Sequence, residues 1–159
     1  MGPLSGLYET LTAFPLLGHF EPRLPEHPFH VEIIAPETGV TRREGGLMVA
    51  PSRTYQDIER TDVAVVPLMQ VVDTGWETGR YAGLVEWLAH RHHSGDILAS
   101  ACTGVLLLAK TGLLDGHEAT IHWAFASTFR QNFEQVRLRT REAFLTAGPN
   151  REFVMTGGV

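Results

Sequence analysis

The only cysteine of the chain stands where the sequence predicts a sharp turn between a strand and a helix. An apolar run from Asp96 to Ala101 precedes Cys102, and a helical run from Val105 to Lys110 follows it. A side chain at such a turn is exposed at the top of a sheet, where a nucleophile is needed. The amides and dipole at the start of the following helix would favour the thiolate. A lone cysteine is also often a small buried apolar residue, so both interpretations stay open.

Four further residues are candidates for contacts with a ligand near this turn. Thr103 and Gly104 complete the turn, and Gly104 lets the backbone pass close to the strand because it has no Cβ. Met69 and Trp76 follow an earlier apolar run, and together they could line a pocket over Cys102. An equally good interpretation of Trp76 is an aromatic anchor that holds its loop on the surface.

Three histidines, His90, His92 and His93, cluster at the predicted end of a helix. His90 and His93 are one turn apart, as two metal ligands on a helix would be. No acidic or cysteine partner is near them in sequence, and positive charge is favoured at a helix C-terminus in any case. We therefore predict no metal site and no cofactor.

The composition favours one globular domain over residues 1–159. Hydrophobic residues make up 43% of the 159 positions, and the net charge is −5. One cysteine excludes an internal disulfide framework and favours a reducing, cytoplasmic setting. No apolar run is long enough to span a membrane, and the first residues lack the pattern of a signal peptide. The acidic balance argues against nucleic-acid binding by these residues.

Strands alternate with helices along the chain. Predicted helices cover residues 4–17, 80–92, 105–110 and 123–133, with a short helix or turn at 54–60. Predicted strands cover residues 29–35, 47–50, 62–67, 96–101, 119–122, 136–139, 143–146 and 153–156. The continuous apolar run between Asp62 and Pro67 suits a strand that is covered on both faces. The pattern indicates an α/β fold with a doubly wound, mostly parallel sheet and helices on both faces, whose site lies beyond the carboxyl ends of the strands.

The segment Ala101-Cys-Thr-Gly-Val-Leu-Leu-Leu-Ala-Lys-Thr-Gly-Leu-Leu-Asp-Gly116, followed by Ala119-Thr-Ile-His-Trp123, resembles the DJ-1/PfpI superfamily. The resemblance is strongest to the class-I glutamine-amidotransferase-like domain of AraC-type transcriptional regulators. It extends from about Leu4 to Val159 and implies a flavodoxin-like fold.

In that family a histidine follows the cysteine by about twenty residues, and His122 has this spacing from Cys102. The resemblance implies that His122 ends the next strand and reaches the thiol, with Trp123 beside it as a ligand contact. A histidine beside a thiol can take its proton or stabilise the thiolate as an ion pair. Without the resemblance, the residues alone favour a helix-capping or core histidine next to Trp123, because histidines at strand ends are common.

Two departures from the family weaken an enzymatic interpretation. Family enzymes often carry an acidic residue near the start of the first helix, and the matching position falls near Pro3, with Glu9 about two turns further along. Catalytic members also tend to have Gly-Gly after the strand that ends here at Pro67, where small residues let backbone amides approach an oxyanion. This chain has Pro67-Leu68-Met69 instead.

The ends of the sequence differ from the family as well. The family begins with a strand before the first helix, and a long helix follows the position of Gly157-Gly-Val159. Both are missing, so we expect a DJ-1/PfpI-like domain truncated at both ends: either the sequence is a fragment of a longer regulator, or its start is wrongly assigned. The helix-turn-helix module of such regulators is not among these residues, and any contact with DNA would need that module.

We predict a sensor domain that binds a small, amide- or nitrogen-containing metabolite near Cys102 and His122 without turnover, and that acts as a homodimer. The alternative is a cysteine enzyme with Cys102 as nucleophile and His122 as base, acting on an amide, an isocyanide or a reactive carbonyl. A third hypothesis is a structural relic of either one.

Overall fold

A computed structural model describes residues 3–21, 23, 25, 28–42, 48–69, 71 and 81–158. The chain forms two compact units, Met1–Ile58 and Glu59–Val159. Cys102 and His122 both belong to the second unit, so this unit positions the candidate site. The organisation of residues 1–159 as a single DJ-1/PfpI-like domain stays a prediction.

Over the residues that the structure describes, the first unit contains two short helices and two small strand pairs. Its helices are α1 (Pro3–Thr12) and α2 (Phe14–Gly18). Its strands are β1 (Ile34–Ala35), β2 (Thr41–Arg42), β3 (Met48–Val49) and β4 (Arg53–Thr54), and a 3-10 turn follows at Tyr55–Asp57. Strand β1 pairs with β4 in parallel, and β2 pairs with β3 in antiparallel orientation.

The prediction of one helix over residues 4–17 is wrong. The structure has two helices there, separated at Ala13. Pro15 has no N–H to donate, and its ring would clash with the carbonyl four residues earlier in a continuous helix. The amides of Leu16 and Leu17 bond instead to the carbonyl of Ala13. The predicted strand 29–35 forms a ladder only at its last two residues, opposite the two residues of β4.

The second unit carries most of the regular structure. Its helices are α3 (Ala82–His93), α4 (Val105–Lys110) and α5 (Ala126–Asn132), with 3-10 turns at Cys102–Gly104 and Trp123–Phe125. Its strands are β5 (Val63–Val66), β6 (Ile97–Ala101), β7 (Glu118–Ala119), β8 (Arg137–Leu138), β9 (Phe144–Ala147) and β10 (Phe153–Thr156). The alternation of strands and helices predicted from the sequence is confirmed.

Four strands form the main sheet in the order β5-β6-β10-β9. Strands β5, β6 and β10 are parallel, whereas β9 is antiparallel to β10. The carboxyl ends of the three parallel strands therefore meet at one edge of the sheet. Strands β7 and β8 form a separate parallel pair. The predicted α/β class with a mostly parallel sheet is confirmed.

One face of the sheet packs against helices α3 and α4. The side chains of Leu98, Phe153 and Met155 are fully buried there, together with four consecutive residues of α4 from Val105 to Leu108. A helix that is apolar all round is a buried helix, and α4 has this character. It ends at Lys110, and Gly112 follows in the left-handed region with φ 75°, as is typical of a helix C-terminus.

The prediction that both faces of strand β5 are covered is wrong. Ala64 and Val66 are buried, but Val63 and Val65 are 45% and 37% exposed. Successive side chains of a strand point to opposite faces, so only the face towards α3 and α4 is covered at β5. Among the helices of the described residues, none is both long and apolar enough to cross a membrane.

Candidate functional site

Cys102 directly follows the central strand β6 and begins the 3-10 turn that leads into α4. Its φ angle is 54°, in the left-handed region that a residue with a Cβ avoids at a cost of about 1–2 kcal/mol. The side chain is partly exposed. A strained residue between a central strand and a buried helix is the geometry of a nucleophile elbow. The predicted strand-turn-helix arrangement around Cys102 is therefore confirmed.

Gly104 lies against the end of strand β5. A Cβ built at this position would stand 2.3 Å from the carbonyl oxygen of Val66 and 2.6 Å from that of Pro67. Both distances are shorter than any contact that a real Cβ makes, and the neighbours are backbone atoms that cannot swing away. The elbow therefore lies close to the end of β5 at Gly104. The sequence predicted such a close approach of the turn to a strand at this glycine.

Thr103 links the elbow to Met69. Its hydroxyl accepts a hydrogen bond from the Met69 N–H at 3.0 Å and donates one to the Met69 carbonyl at 2.6 Å. The Thr103 residue is only 1% exposed, and Met69 is partly buried against the core. The two predicted ligand contacts Thr103 and Met69 therefore lie together, but the Thr103 hydroxyl is committed to the backbone. Ligand contacts by Thr103, Gly104 and Met69 stay a prediction.

His122 caps a short helix, whereas the sequence placed it at the end of a strand. Strand β7 ends at Ala119, and His122 precedes the 3-10 turn Trp123–Phe125. The Nδ1 atom of His122 accepts a hydrogen bond from the N–H of Ala124 at 3.2 Å. The ladder of strand β7 with β8 covers only two residue pairs and ends before His122. The capping role that the residues alone allowed is the one observed.

Cys102 and His122 belong to segments that reach the same edge of the sheet. Strands β6 and β10 pair so that Ala101 stands opposite Thr156, and Cys102 and Gly157 continue past this pair. A Cβ built on Gly158 would lie 3.4 Å from the Cδ2 atom of His122. Among the hydrogen bonds of the described residues, none joins the Cys102 sulfur to the His122 ring. A working pair of Cys102 and His122 stays a prediction.

Thr120 is a residue of this region that the sequence did not single out. Its side chain is fully buried, and its hydroxyl donates to the carbonyl of Glu142 at 2.6 Å. A Cβ on Gly157 would stand 2.6 Å from the same hydroxyl oxygen. Thr120 therefore fixes the segment that carries His122 against β9 and the end of β10. The motif Thr-x-His-Trp contained Thr120, but no local pattern predicts its bond to Glu142.

Trp123 is the most exposed aromatic residue next to His122. It is 68% exposed, and its ring centroid lies 5.2 Å from the imidazole with an angle of 31° between the planes. Much of its ring surface is therefore open to contact with another molecule, and a ligand contact by Trp123 stays a prediction. The other predicted aromatic contact, Trp76, lies outside the described residues.

The histidine cluster at the end of α3 has structural partners. The His92 ring stacks on Phe153 at 4.9 Å, and its Nε2 atom lies 3.9 Å from a carboxylate oxygen of Glu152. The Nδ1 atom of His93 is 2.6 Å from the carbonyl of Ala89. Within the described ranges, no group of three or more potential ligands is placed to hold a metal ion. No local pattern predicts Glu152 as the partner of His92, because the two residues lie far apart in the chain.

An open cavity of about 510 Å³ lies beside strand β9, away from the elbow. It is lined by Glu118, Arg139, Glu142, Phe144, Leu145, Thr146 and Arg151. None of the predicted site residues that the structure describes lines this cavity. We therefore place the candidate site at the Cys102 elbow and not at this cavity.

The chain belongs to the DJ-1/PfpI family, whose sequence profile matches residues 16–147. This membership agrees with the elbow geometry at Cys102 and with the resemblance seen in the sequence. It also agrees with the mostly parallel sheet of the second unit and confirms the flavodoxin-like α/β class.

Two curated relatives represent two kinds of protein. The HTH-type transcriptional regulator CdhR of Pseudomonas aeruginosa is 28% identical over 149 residues, which cover 87% of this chain and 42% of CdhR. The isonitrile hydratase of Pseudomonas putida is 29% identical over 124 residues, which cover 77% of this chain and 47% of the hydratase. The chain thus spans less than half the length of each of these relatives.

A solved structure shares the fold. The crystal structure of an AraC family transcriptional regulator from Pseudomonas putida superposes with a TM-score of 0.69 at 16% identity, covering 94% of this chain and 75% of that one. The chain is therefore a DJ-1/PfpI family protein that is similar in sequence to an HTH-type transcriptional regulator and to an isonitrile hydratase.

Proposed function

We propose that this chain is the ligand-sensing, amidotransferase-like domain of an AraC-family transcriptional regulator. It binds a small metabolite beside Cys102 and His122 and does not turn it over. The observation that carries the proposal is the hydrogen bond from the Ala124 N–H to the Nδ1 atom of His122. This bond determines which nitrogen of the ring can act on the thiol.

A neutral imidazole has one donor nitrogen and one acceptor nitrogen. Because Nδ1 of His122 accepts the Ala124 N–H, the proton of the neutral ring is on Nε2. The ring can then donate a hydrogen bond to a thiolate or to a ligand oxygen. It cannot take the thiol proton at Nε2 without losing its cap. A catalytic histidine is usually held the other way round, with Nδ1–H donating to an orienting acceptor.

Two of the three residues that directly follow β5 cannot offer a backbone amide to an oxyanion. Pro67 has no N–H, and the N–H of Met69 is bound to the Thr103 hydroxyl. These features support binding over turnover, as the sequence departures at Pro3 and Pro67-Leu68-Met69 predicted.

The expected ligand is a small amide- or nitrogen-containing metabolite. The Nε2–H of His122 would donate to its acceptor atom, and the exposed Trp123 ring would cover its planar or apolar part. The domain would act as a homodimer, and contacts with DNA would come from a module outside these residues. The likeness to CdhR supports this assignment.

Binding without turnover can be tested with a panel of small amides, isonitriles and aldehydes. We expect at least one compound to raise the melting temperature and to be recovered unchanged after overnight incubation. His122→Gln should abolish the shift, whereas the control His30→Gln, at an exposed histidine of the first unit, should retain it. Catalytic consumption of the compound that binds would contradict the proposal.

A second candidate is a cysteine enzyme that hydrates an isonitrile. The positive φ of Cys102 favours it, because this strain is typical of catalytic elbows, and so does the likeness to the isonitrile hydratase. In this case, wild-type protein would convert an isonitrile to the formamide over many turnovers, and Cys102→Ser would not. Product analysis by mass spectrometry separates this enzyme from the sensor.

A further inference from the structure

We propose that Thr103 is a positioning residue that couples the state of the Cys102 side chain to the segment Pro67–Met69. This inference rests on the proposed function, because it gives the sensing site a mechanical link to the rest of the unit. The link consists of the two hydrogen bonds between one hydroxyl and the backbone of Met69.

A hydroxyl has one proton to donate and two lone pairs, so the two bonds to Met69 can exist together. They join Thr103 to both the N–H and the carbonyl of one residue, at 3.0 and 2.6 Å. Thr103 is 1% exposed, so water cannot readily replace either bond. The β-branched side chain is also stiff at χ1. The direction of the hydroxyl therefore follows the backbone of Thr103.

The backbone of Thr103 in turn depends on Cys102, since the two residues share a peptide unit. Cys102 is held at a φ of 54°, which only the surrounding structure maintains. A ligand or adduct on the thiol that changes this angle rotates the next peptide and moves the hydroxyl. Gly104 lies so close to the carbonyls of Val66 and Pro67 that no Cβ would fit, so it adjoins the start of the segment whose last residue is bonded to Thr103.

A change at the Cys102 thiol therefore alters the hydrogen bonds of Met69 through the Thr103 hydroxyl. While the Thr103 hydroxyl holds it, the Met69 amide is protected and unavailable to a ligand. When the elbow shifts, the Met69 N–H and carbonyl lose their common partner. Coupling between Cys102 and Met69 is tested by modifying the thiol and measuring the response of the Met69 amide.

The experiment uses iodoacetamide as the probe and amide hydrogen exchange of Met69, followed by NMR, as the readout. The thiolate of Cys102 displaces iodide, a sulfur–carbon bond forms, and the thiol proton goes to solvent. In the wild-type protein we expect alkylation to speed Met69 exchange by about fivefold or more, as expected for loss of one buried hydrogen bond. Exchange of the Leu98 amide, which bonds to Glu152 in the sheet, should not change.

Substitutions at Thr103 identify the residue that carries the coupling. In Thr103→Val the Met69 amide should exchange fast before alkylation, and alkylation should add less than about twofold. Thr103→Ser keeps the hydroxyl and should behave like the wild-type protein. A purely structural role would speed exchange in Thr103→Val but leave the effect of alkylation intact, and this result would overturn the proposal.

The wild-type measurement is decisive by itself if Thr103→Val fails to fold. Unchanged Met69 exchange after complete alkylation would also overturn the inference. Neither outcome depends on the identity of the ligand or on a DNA-binding module. Failure of this coupling and failure of the sensor assignment can therefore be distinguished.

Discussion

Gly104 approaches the carbonyl oxygen of Val66 so closely that a single added methyl group would stand 2.3 Å from it. This contact joins the elbow to the end of strand β5, and it leaves no space for any other residue. The position of the Cys102 turn therefore depends on a residue that has no side chain.

Gly104→Ala should destabilise the protein by about 1–3 kcal/mol, the usual cost of forcing extra volume into a packed interior. The unfolding midpoint in urea measures this loss. Gly6→Ala is the matched control, because Gly6 lies in helix α1 with open space around it and alanine is the better helix former. Equal stability of Gly104→Ala and the wild-type protein would show that the elbow can move away from β5.

The backbone strain at Cys102 predicts an unusual ranking of substitutions. Cys102→Gly should be more stable than Cys102→Ala by about 1 kcal/mol, because glycine adopts a positive φ without a steric penalty. Glycine is the less stable choice at ordinary positions, so the sign of the difference is diagnostic. Thermal unfolding of the two variants provides the comparison, and a more stable Cys102→Ala would refute the strain.

Thr120→Val should destabilise the second unit by about 1 kcal/mol, since it removes the hydrogen bond between the fully buried Thr120 hydroxyl and the Glu142 carbonyl. Thr120→Ser keeps the hydroxyl and should cost less. Because Thr120 holds the segment that carries His122, the NMR signals of the His122 ring should shift in Thr120→Val. An unchanged His122 ring in Thr120→Val would contradict this positioning role.

Asp57 gives the first unit a dependence on pH. Hydrogen bonds from the Thr54 side chain and then from the Thr54 N–H lower the pKa of the Asp57 carboxyl below its ordinary value. The folded form therefore gains stability from ionised Asp57 above the unfolded pKa, and it loses this stability as the pH falls through the folded pKa. Thr54→Ala should raise the pKa of Asp57, as carboxyl NMR titration can measure, whereas Thr61→Ala should not.

Several elements of the second unit follow directly from local sequence. Helix α4 occupies residues 105–110 as predicted, because apolar residues with high helix propensity run between the elbow and the glycine at position 112. Strand β10 also has its predicted bounds, 153–156. In both cases turn residues lie close to the element, so the local sequence indicates where it begins and ends.

The structure differs from the sequence predictions where contacts between distant residues, and not the local sequence, determine the conformation. His122 was expected at a strand end, but β7 has a ladder partner for only two residues, and the remaining chain turns to form the capped helix. The bonds of Thr103 to Met69 and of Thr120 to Glu142 join residues distant in sequence. A single sequence carries no signal for such pairs, although both threonines stand inside the motifs that indicated the family.

The sole thiol of the chain offers an experimental advantage that is independent of its chemistry. A fluorescent or spin label directed at sulfur would attach at one position only, with no need to remove competing cysteines. The label would sit at the junction of β6 and α4, next to the proposed ligand. Its emission or mobility would then report on the surroundings of the elbow in the labelled chain.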